Sequence, residues 1–324
     1  MRPDHKSSTV ALMRKLVVCG ADGNFGAIAA DTLLSLVPAE RVRVAAPTVE
    51  GTSRYRDAGV DTAVTNFNDT AGLTAAFEGA EKVLVISMPF VGPKRRDAHR
   101  NAVDACIAAG VSEIVYVSLV NATDPTNPSI EKIDHAWTEA YIQASGIDYV
   151  FLRNSQYAEA MITAYFASLP QGEMANNAGD GRMSFISRRD CATAAAYALA
   201  NRFLHTEVLN INGAESLTMA DFAAIGNEVT GNALTFRELS DEENYAVFDA
   251  MGVPRTTDGE FQDGSSAPFS SEGMVTFGQA IREGKMAVHT DDFLLITGRR
   301  PITVREMFER SDEFQVGARH SVDA

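Results

Sequence analysis

The chain has 324 residues, of which 45% are hydrophobic and 22% charged, with a formal net charge of −15. This is the composition of a globular protein large enough for one big domain, or one domain with a smaller lobe. So acidic a chain repels phosphate backbones, which excludes an ordinary nucleic-acid partner. The local run Lys94, Arg95 and Arg96 reads as a solvated helix start.

No apolar stretch reaches the roughly 18 residues a transmembrane helix needs, so no membrane partner is expected. Residues 1–14 lack the apolar middle of a secretory signal; they read as a disordered extension, with the cytoplasm as the default location. From there the pattern alternates. Residues 15–19 (KLVVC) predict a buried strand, 26–37 a helix stopped by Pro38, 41–45 a second strand and 61–64 a short third. Residues 70–77 predict a helix ended by Gly79, 82–87 (KVLVIS) a strand and 95–109 a helix stopped by Gly110. Residues 113–118 predict a strand, 133–144 a helix followed by Gly146, and 148–152 a strand. Strands separated by helices imply βαβ units, so the expected fold is α/β: a Rossmann-type, doubly wound parallel sheet.

After residue 153 the rhythm loosens. Helices are expected at 154–167, 188–200, 219–229, 242–250, 277–283 and 304–310, with strands at 183–186, 208–211 and around LTFREL. Residues 256–271, rich in Gly, Ser, Asp and Thr, predict a long loop. This divides the chain into the extension 1–14, a Rossmann domain 15–153, and a segment 154–324 that completes the sheet and forms a smaller C-terminal substrate lobe. Cys19, Cys106 and Cys191 sit far apart in apolar patterns and read as small buried hydrophobes. The histidines show no metal-ligand spacing, so no metal is expected.

The first predicted strand runs straight into Gly20-Ala-Asp-Gly23-Asn-Phe-Gly26 and then into a helix. Each glycine has a physical task in a dinucleotide cradle. Gly20 permits the tight turn, Gly23 lets a pyrophosphate approach the backbone, and Gly26 lets the helix pack on the strand. The phosphates would rest on free N–H groups at the positive helix end. Asp22, Asn24 and Phe25 lie within the same cradle. Asp22 is an oddity there, because a carboxylate is repelled by pyrophosphate unless it bonds the turn's own backbone. An NAD site wants an acid at the end of the second strand. That position reads Ala45-Ala46-Pro47, with Arg43 before it and Arg54 and Arg56 after it, so NADP is favoured and NAD stays open.

In order and spacing, GADGNFG, Asn66-Phe67-Asn68-Asp69, EKVLVIS, HRNAVDACIAAGV, YVSLV, HAWTEAYIQASGIDYVFLRN and TGRRPITVREMF resemble the NmrA-like atypical short-chain dehydrogenases/reductases, which include quinone reductase-like, triphenylmethane reductase-like and isoflavone/pinoresinol reductase-like enzymes. The likeness is good over the first half of the chain and looser beyond Tyr157. It implies that Asn66 and Phe67 border the adenine, that Ser87 and Met88 line the ribose and pyrophosphate path, and that Ser118 sits near the nicotinamide. It also implies that Asn154 and Tyr157 face the substrate.

The Tyr-x-x-x-Lys pair of the classical short-chain dehydrogenases is missing: Tyr116 meets Val120, Tyr141 meets Ser145 and Tyr157 meets Met161. The usual alcohol–ketone proton relay is therefore not encoded. His135 falls where the resemblance places an active-site lysine or histidine, and a histidine could polarise or protonate a carbonyl. Its bland alternative is a histidine that caps a helix start or is bonded to nearby backbone. Trp137 reads first as packing, with a substrate-site wall as the other reading. The expected activity is NAD(P)H-dependent reduction of an aromatic, quinonoid or lignan-type small molecule, with His135 assisting the proton step. A non-catalytic NAD(P) sensor and a lyase or isomerase with recycled cofactor are the alternatives. A homodimer is compatible with the chain, and the oligomeric state is left open.

Overall fold

The structure, a computed structural model, describes residues 14–89, 91–256 and 269–316. The expected extension, apart from Arg14, and most of the expected 256–271 loop fall outside the described residues. Arg14 itself is pinned, donating to the carbonyls of Ala80 and Gly110 and to Ser112 Oγ.

Six strands, β1 (Lys15–Val18), β2 (Val42–Ala46), β3 (Asp61–Val64), β4 (Ala80–Val85), β5 (Glu113–Leu119) and β6 (Asp148–Asn154), begin the main sheet. Of the later strands β7 (Glu173–Asn176), β8 (Glu207–Ile211) and β9 (Thr235–Glu238), β8 joins the main sheet, while β7 and β9 pair as a separate parallel ribbon. The main sheet runs β3-β2-β1-β4-β5-β6-β8 with every pair parallel. The order reverses between β1 and β4, and in such sheets ligands bind at the carboxyl ends beside that switch.

Alternation along the strands explains the two covered faces. Leu16, Val18, Val44, Leu84, Val115 and Val117 pack on α1 (Asn24–Leu36) and the alanine-rich α7 (Arg188–Ala200). Their neighbours Val17, Val83, Val85, Ile114 and Tyr116 pack on α3 (Thr70–Phe77), α4 (Pro93–Ala108) and α5 (Glu131–Ser145). A second core joins α6 (Ala158–Ser168), β7, α8 (Met219–Thr230), α10 (Ser271–Arg282) and α12 (Val304–Glu309). There Gly226 is obligatory, since an added Cβ would lie 2.7 Å from the Tyr165 ring and 2.8 Å from Phe308. Cys19, Cys106 and Cys191 are buried and free, and burial pushes the Cys19 thiol up to about 12.

The expected elements appear with several corrections. Helix α2 (Val49–Asp57) and the short α11 (Asp292–Thr297) were not anticipated, nor was β7. Residues 183–186 form no strand; they make only single bridges, Met183 to Leu217 and Ile186 to Tyr157. Helix α10 starts at Ser271 rather than residue 277, because the Ser270 hydroxyl accepts from Gly273 N and caps it. The helix expected from residue 154 starts at Ala158, since β6 continues to Asn154 in register with Ile211. Helix α9 (Asp241–Ala250) matches its expected place. Among the described residues no helix is long and apolar enough to cross a membrane.

At the edge opposite the strands' carboxyl ends, Lys82 Nζ lies 2.6 Å from Glu113 Oε1, both side chains 2% exposed. Lys82 also donates to Asn201 O at 2.8 Å, and Glu113 Oε2 is 2.8 Å from His205 Nδ1. Removing one member of a buried pair leaves the other charge uncompensated. Glu113→Ala is therefore expected to cost about 3–5 kcal/mol, measured as a fall in the denaturant midpoint. A Lys82→Met/Glu113→Leu double variant is expected to recover most of that loss.

Candidate active site

The β1–α1 turn is shaped by close approaches. Gly20 has φ +66°, in the left-handed region. A Cβ on Gly26 would lie 2.1 Å from Gly20 O, so the helix can pack here only without a side chain. Gly23 differs. It has an ordinary extended backbone (φ −87°, ψ 158°), and a Cβ there would meet only Gly20 O, at 3.5 Å. Neither conformation nor protein packing demands glycine at 23, so the remaining reason is room for a ligand. No side chain caps α1, whose first N–H groups, from Asn24, Phe25 and Gly26, precede any intrahelical acceptor. Together these features fit a pyrophosphate. Phe25 is buried beneath the cradle, and Asp22 packs against α2, where a Cβ on Gly51 would lie 2.7 Å from Asp22 Cβ.

The arginines expected to read a 2′-phosphate are engaged elsewhere. Arg43 donates to Asp61 and to the carbonyls of Ala76 and Glu78. Arg54 pairs with Asp31 at 3.0 Å and donates to Tyr55, and Arg56 lies 3.8 Å from Asp57. Arg54 and Arg56 sit in the last turn of α2, whereas its first turn approaches the end of β2, where a Cβ on Gly51 would lie 3.1 Å from Ala46 Cβ. What survives of that reading is the absence of an acid at Ala45–Ala46–Pro47.

Asn66 and Phe67 lie beyond the carboxyl end of β3. Asn66 Oδ1 accepts from Asn68 N at 2.9 Å, and the Phe67 carbonyl accepts from Asn101 at 2.9 Å. Ser87 and Met88 follow β4, and Met88 N donates to His99 Nε2 at 3.1 Å. Ser118 is buried and donates to Glu139 Oε1 at 2.6 Å; Arg153 clamps the same carboxylate at 2.9 and 2.6 Å. Its hydroxyl is thus turned onto α5. Trp137 stacks on Tyr141 (5.0 Å between centroids, 11° between planes) with the Arg100 guanidinium 5.3 Å away, in the seam between α4 and α5. These contacts bring it together with none of the other expected site residues.

His135 lies near the start of α5, 8% exposed, with Nδ1 3.0 Å from the Tyr116 hydroxyl. Among the described residues Nε2 has no protein partner. Burial, with Arg95 and His99 adding to it, holds the imidazole well below the usual 6.5, so it is neutral. His99 is held down to about 3 by burial and then by Arg95. Its Nε2 accepts from Met88 N, its Nδ1 is 2.9 Å from Thr138 Oγ1, and Thr138 donates to Asp134 O. The expected solvated start of α4 is corrected here: Arg95 is buried, 3.3 Å from Glu131 and 3.9 Å from Asp134, with Arg96 3.3 Å from Asp134. Neither Tyr116 nor His99 stands out in the sequence, because each reads as one position in an apolar or helical pattern.

The connection after β6 carries unsatisfied polar atoms. Asn154 Oδ1, Ser155 Oγ, Gln156 Oε1 and Glu159 Oε2 are buried without a hydrogen-bond partner among the described residues. Asn154 Nδ2 is 3.4 Å from the Tyr157 hydroxyl, and Arg188 lies 5.3 Å from the Tyr157 ring centroid. Burial pushes the Glu159 carboxyl and the Tyr157 phenol up from their usual values.

Two outcomes follow from this geometry. Gly23→Ala is expected to leave the unfolding midpoint unchanged while weakening dinucleotide binding about tenfold (about 1.4 kcal/mol); Gly26→Ala is expected to lower stability itself. Titration calorimetry beside thermal unfolding separates the two. For pH, the folded state refuses protons on His99 that the unfolded chain accepts below 6.5. The contribution is therefore complete above 6.5 and is lost as pH falls towards about 3. A His99→Gln variant, whose amide oxygen can still accept from Met88 N, is expected to show a shallower stability loss between those pH values.

Comparison with known proteins agrees with this geometry. Residues 20–202 match the family model described as NAD(P)H-binding. Over 239 residues the chain is 31% identical to Quinone oxidoreductase 2 of Escherichia coli (strain K12), covering 74% of this chain and 82% of that one. The fold matches the crystal structure of an NADPH-dependent quinone oxidoreductase from Escherichia coli complexed with NADPH, at TM-score 0.82 and 27% identity, covering 92% of this chain and 99% of that one. It also matches the Citrobacter sp. triphenylmethane reductase complexed with NADP(H), at TM-score 0.79 and 28% identity, covering 92% and 100%. The chain belongs to the NAD(P)H-binding family, as an NmrA-like atypical short-chain dehydrogenase/reductase.

Proposed function

We propose that the chain is an NADPH-dependent reductase of quinonoid or related conjugated aromatic acceptors. One observation carries the reading: a glycine turn that fits a pyrophosphate and a neutral imidazole, whose Nε2 has no partner among the described residues, are set along the same edge of one parallel sheet. The similarity to a quinone oxidoreductase and a triphenylmethane reductase supports it.

The nicotinamide cofactor would supply a hydride. The chain's own residues would do the rest. The Gly20–Gly26 turn and the α1 N–H groups would hold the pyrophosphate. Asn66 and Phe67 would border the adenine, and Ser87 and Met88 the ribose. The orphaned oxygens of Asn154, Ser155 and Gln156 would accept from groups on the nicotinamide or the substrate. His135 would hydrogen-bond the acceptor's oxygen as negative charge develops there. NADPH is preferred over NADH because no carboxylate at the end of β2 opposes a 2′-phosphate.

The test is fluorescence titration with NADPH and NADH, followed by NADPH oxidation with benzoquinones, naphthoquinones and triphenylmethane dyes. NADPH is expected to bind about tenfold more tightly than NADH. His135→Ala is expected to lower kcat about a hundredfold at unchanged NADPH affinity. Tight binding with no turnover on any acceptor would favour the non-catalytic sensor, and no binding of either nucleotide would overturn the reading.

A further inference from the structure

We propose that Tyr116 is a positioning residue that fixes His135 as the Nε2–H tautomer, so that the imidazole presents that N–H to the oxygen of a quinone-type acceptor. This rests on the reading of His135 given above. It names the state of the group and the residue that sets it.

The tautomers follow from an account of donors and acceptors. Met88 N–H can only donate, so His99 Nε2 must accept and the His99 proton sits on Nδ1. That N–H donates to Thr138 Oγ1, whose own proton goes to Asp134 O at 2.8 Å. Thr138 therefore has no proton to offer Tyr116. The phenol ring is held by edge contacts with His99 (5.5 Å, 73°) and Phe151 (6.3 Å, 89°), which direct its hydroxyl at His135 Nδ1. The Thr138 and Ser87 hydroxyls also approach the phenol oxygen; of the three possible acceptors the neutral imidazole nitrogen is the strongest, so the phenol donates its proton to His135 Nδ1. The His135 proton is then on Nε2, the nitrogen with no protein partner among the described residues. Two imidazoles flanking one tyrosine ring thus carry opposite tautomers.

The groups facing His135 keep it uncharged. Arg95 and His99 approach from α4, and Tyr116 from β5. The carboxylates on α5 are engaged: Glu131 with Arg95, Asp134 with Arg95, Arg96 and Gly92 N, and Glu139 with Arg153 and Ser118. A second cation here would face Arg95 without a free counter-charge.

The chemistry then selects the substrate. Hydride transfer moves two electrons and one proton from the reduced nicotinamide to a quinone, leaving the oxidised nicotinamide and a hydroquinone monoanion. The new anionic oxygen is held by the His135 N–H, and its proton comes from water. An aliphatic ketone would give an alkoxide, a far stronger base that a neutral N–H does not stabilise enough. Quinones should turn over and simple ketones should not.

The experiment is long-range ¹H–¹⁵N spectroscopy of protein carrying ¹⁵N-histidine, beside kinetics of the wild type, Tyr116→Phe and His135→Ala. In the wild type, His135 is expected to be protonated on Nε2 only and His99 on Nδ1 only. In Tyr116→Phe, the His135 signals should move to a tautomer mixture while those of His99 hold. There kcat with a benzoquinone should fall about tenfold, at nearly unchanged KM and NADPH affinity. The wild-type rate should be flat from about pH 5.5 to 8, with no inflection near 6.5. Protonation of wild-type His135 on Nδ1, or a His135 tautomer indifferent to Tyr116→Phe, would overturn the proposal. The wild-type spectrum decides the first point even if the variant does not fold. A His135→Ala enzyme as fast as wild type would instead sink the underlying role of His135, whatever its tautomer.

Discussion

Everything at the site depends on one constraint: the seven main strands all run the same way. Parallel strands must be joined by crossovers, and each crossover returns the chain to the same edge. The turn after β1, the segments after β3 and β4, and the connection after β6 therefore meet along one rim, though they are far apart in sequence. Helices that follow the strands start at that rim, so their N–H ends point where ligands bind. The first turns of α4 and α5 also lie there, which is how Arg95, Glu131, Asp134 and His135 come to be neighbours.

Burying so many polar groups beneath the rim is costly unless they satisfy one another. The cluster mostly does so. Asp134 meets Arg95, Arg96 and a backbone N–H, Glu139 meets Arg153 and Ser118, and His99 is bonded at both nitrogens. A network whose members each have one arrangement is stiff. Such a network holds the His135 ring in one orientation against Tyr116, something an exposed histidine would lack.

Much of this was legible in the sequence, and what was missed has physical causes. The strands announced themselves because both their faces are buried, so they read as unbroken apolar runs. The glycine cradle was legible because its strand–turn–helix setting leaves few other readings. Helix α2 was not, because VEGTSRYRD has few apolar residues and relies on Thr48 capping Gly51 N and on burial of Thr52 and Tyr55. β7 exists only because β9, some sixty residues later, pairs with it, a contact that no local pattern encodes. Arg95 was misread for the same reason: a basic run looks solvated until the carboxylates of another helix close over it. Cofactor class survives this test better than cofactor detail, since the arginines near β2 satisfy Asp61, Asp31 and nearby carbonyls.

The distinction between satisfied and unsatisfied groups also sorts the expected site residues. The Ser118 hydroxyl donates its proton to Glu139, and the Trp137 ring stacks on Tyr141 beside the Arg100 guanidinium, so both already have partners within their own protein. From Asn154 to Glu159 the opposite holds: four buried oxygens lack partners among the described residues, each at a cost of about 1–3 kcal/mol if left so. These oxygens lie on the strand-to-helix connection between the sheet and the second core, since β6 belongs to the first and α6 to the second. A fold gains nothing by holding acceptors there for their own sake. The carboxamide oxygens of Asn154 and Gln156 can only accept, whereas the Ser155 hydroxyl can also donate, so the connection between sheet and second core keeps capacity for both kinds of hydrogen bond.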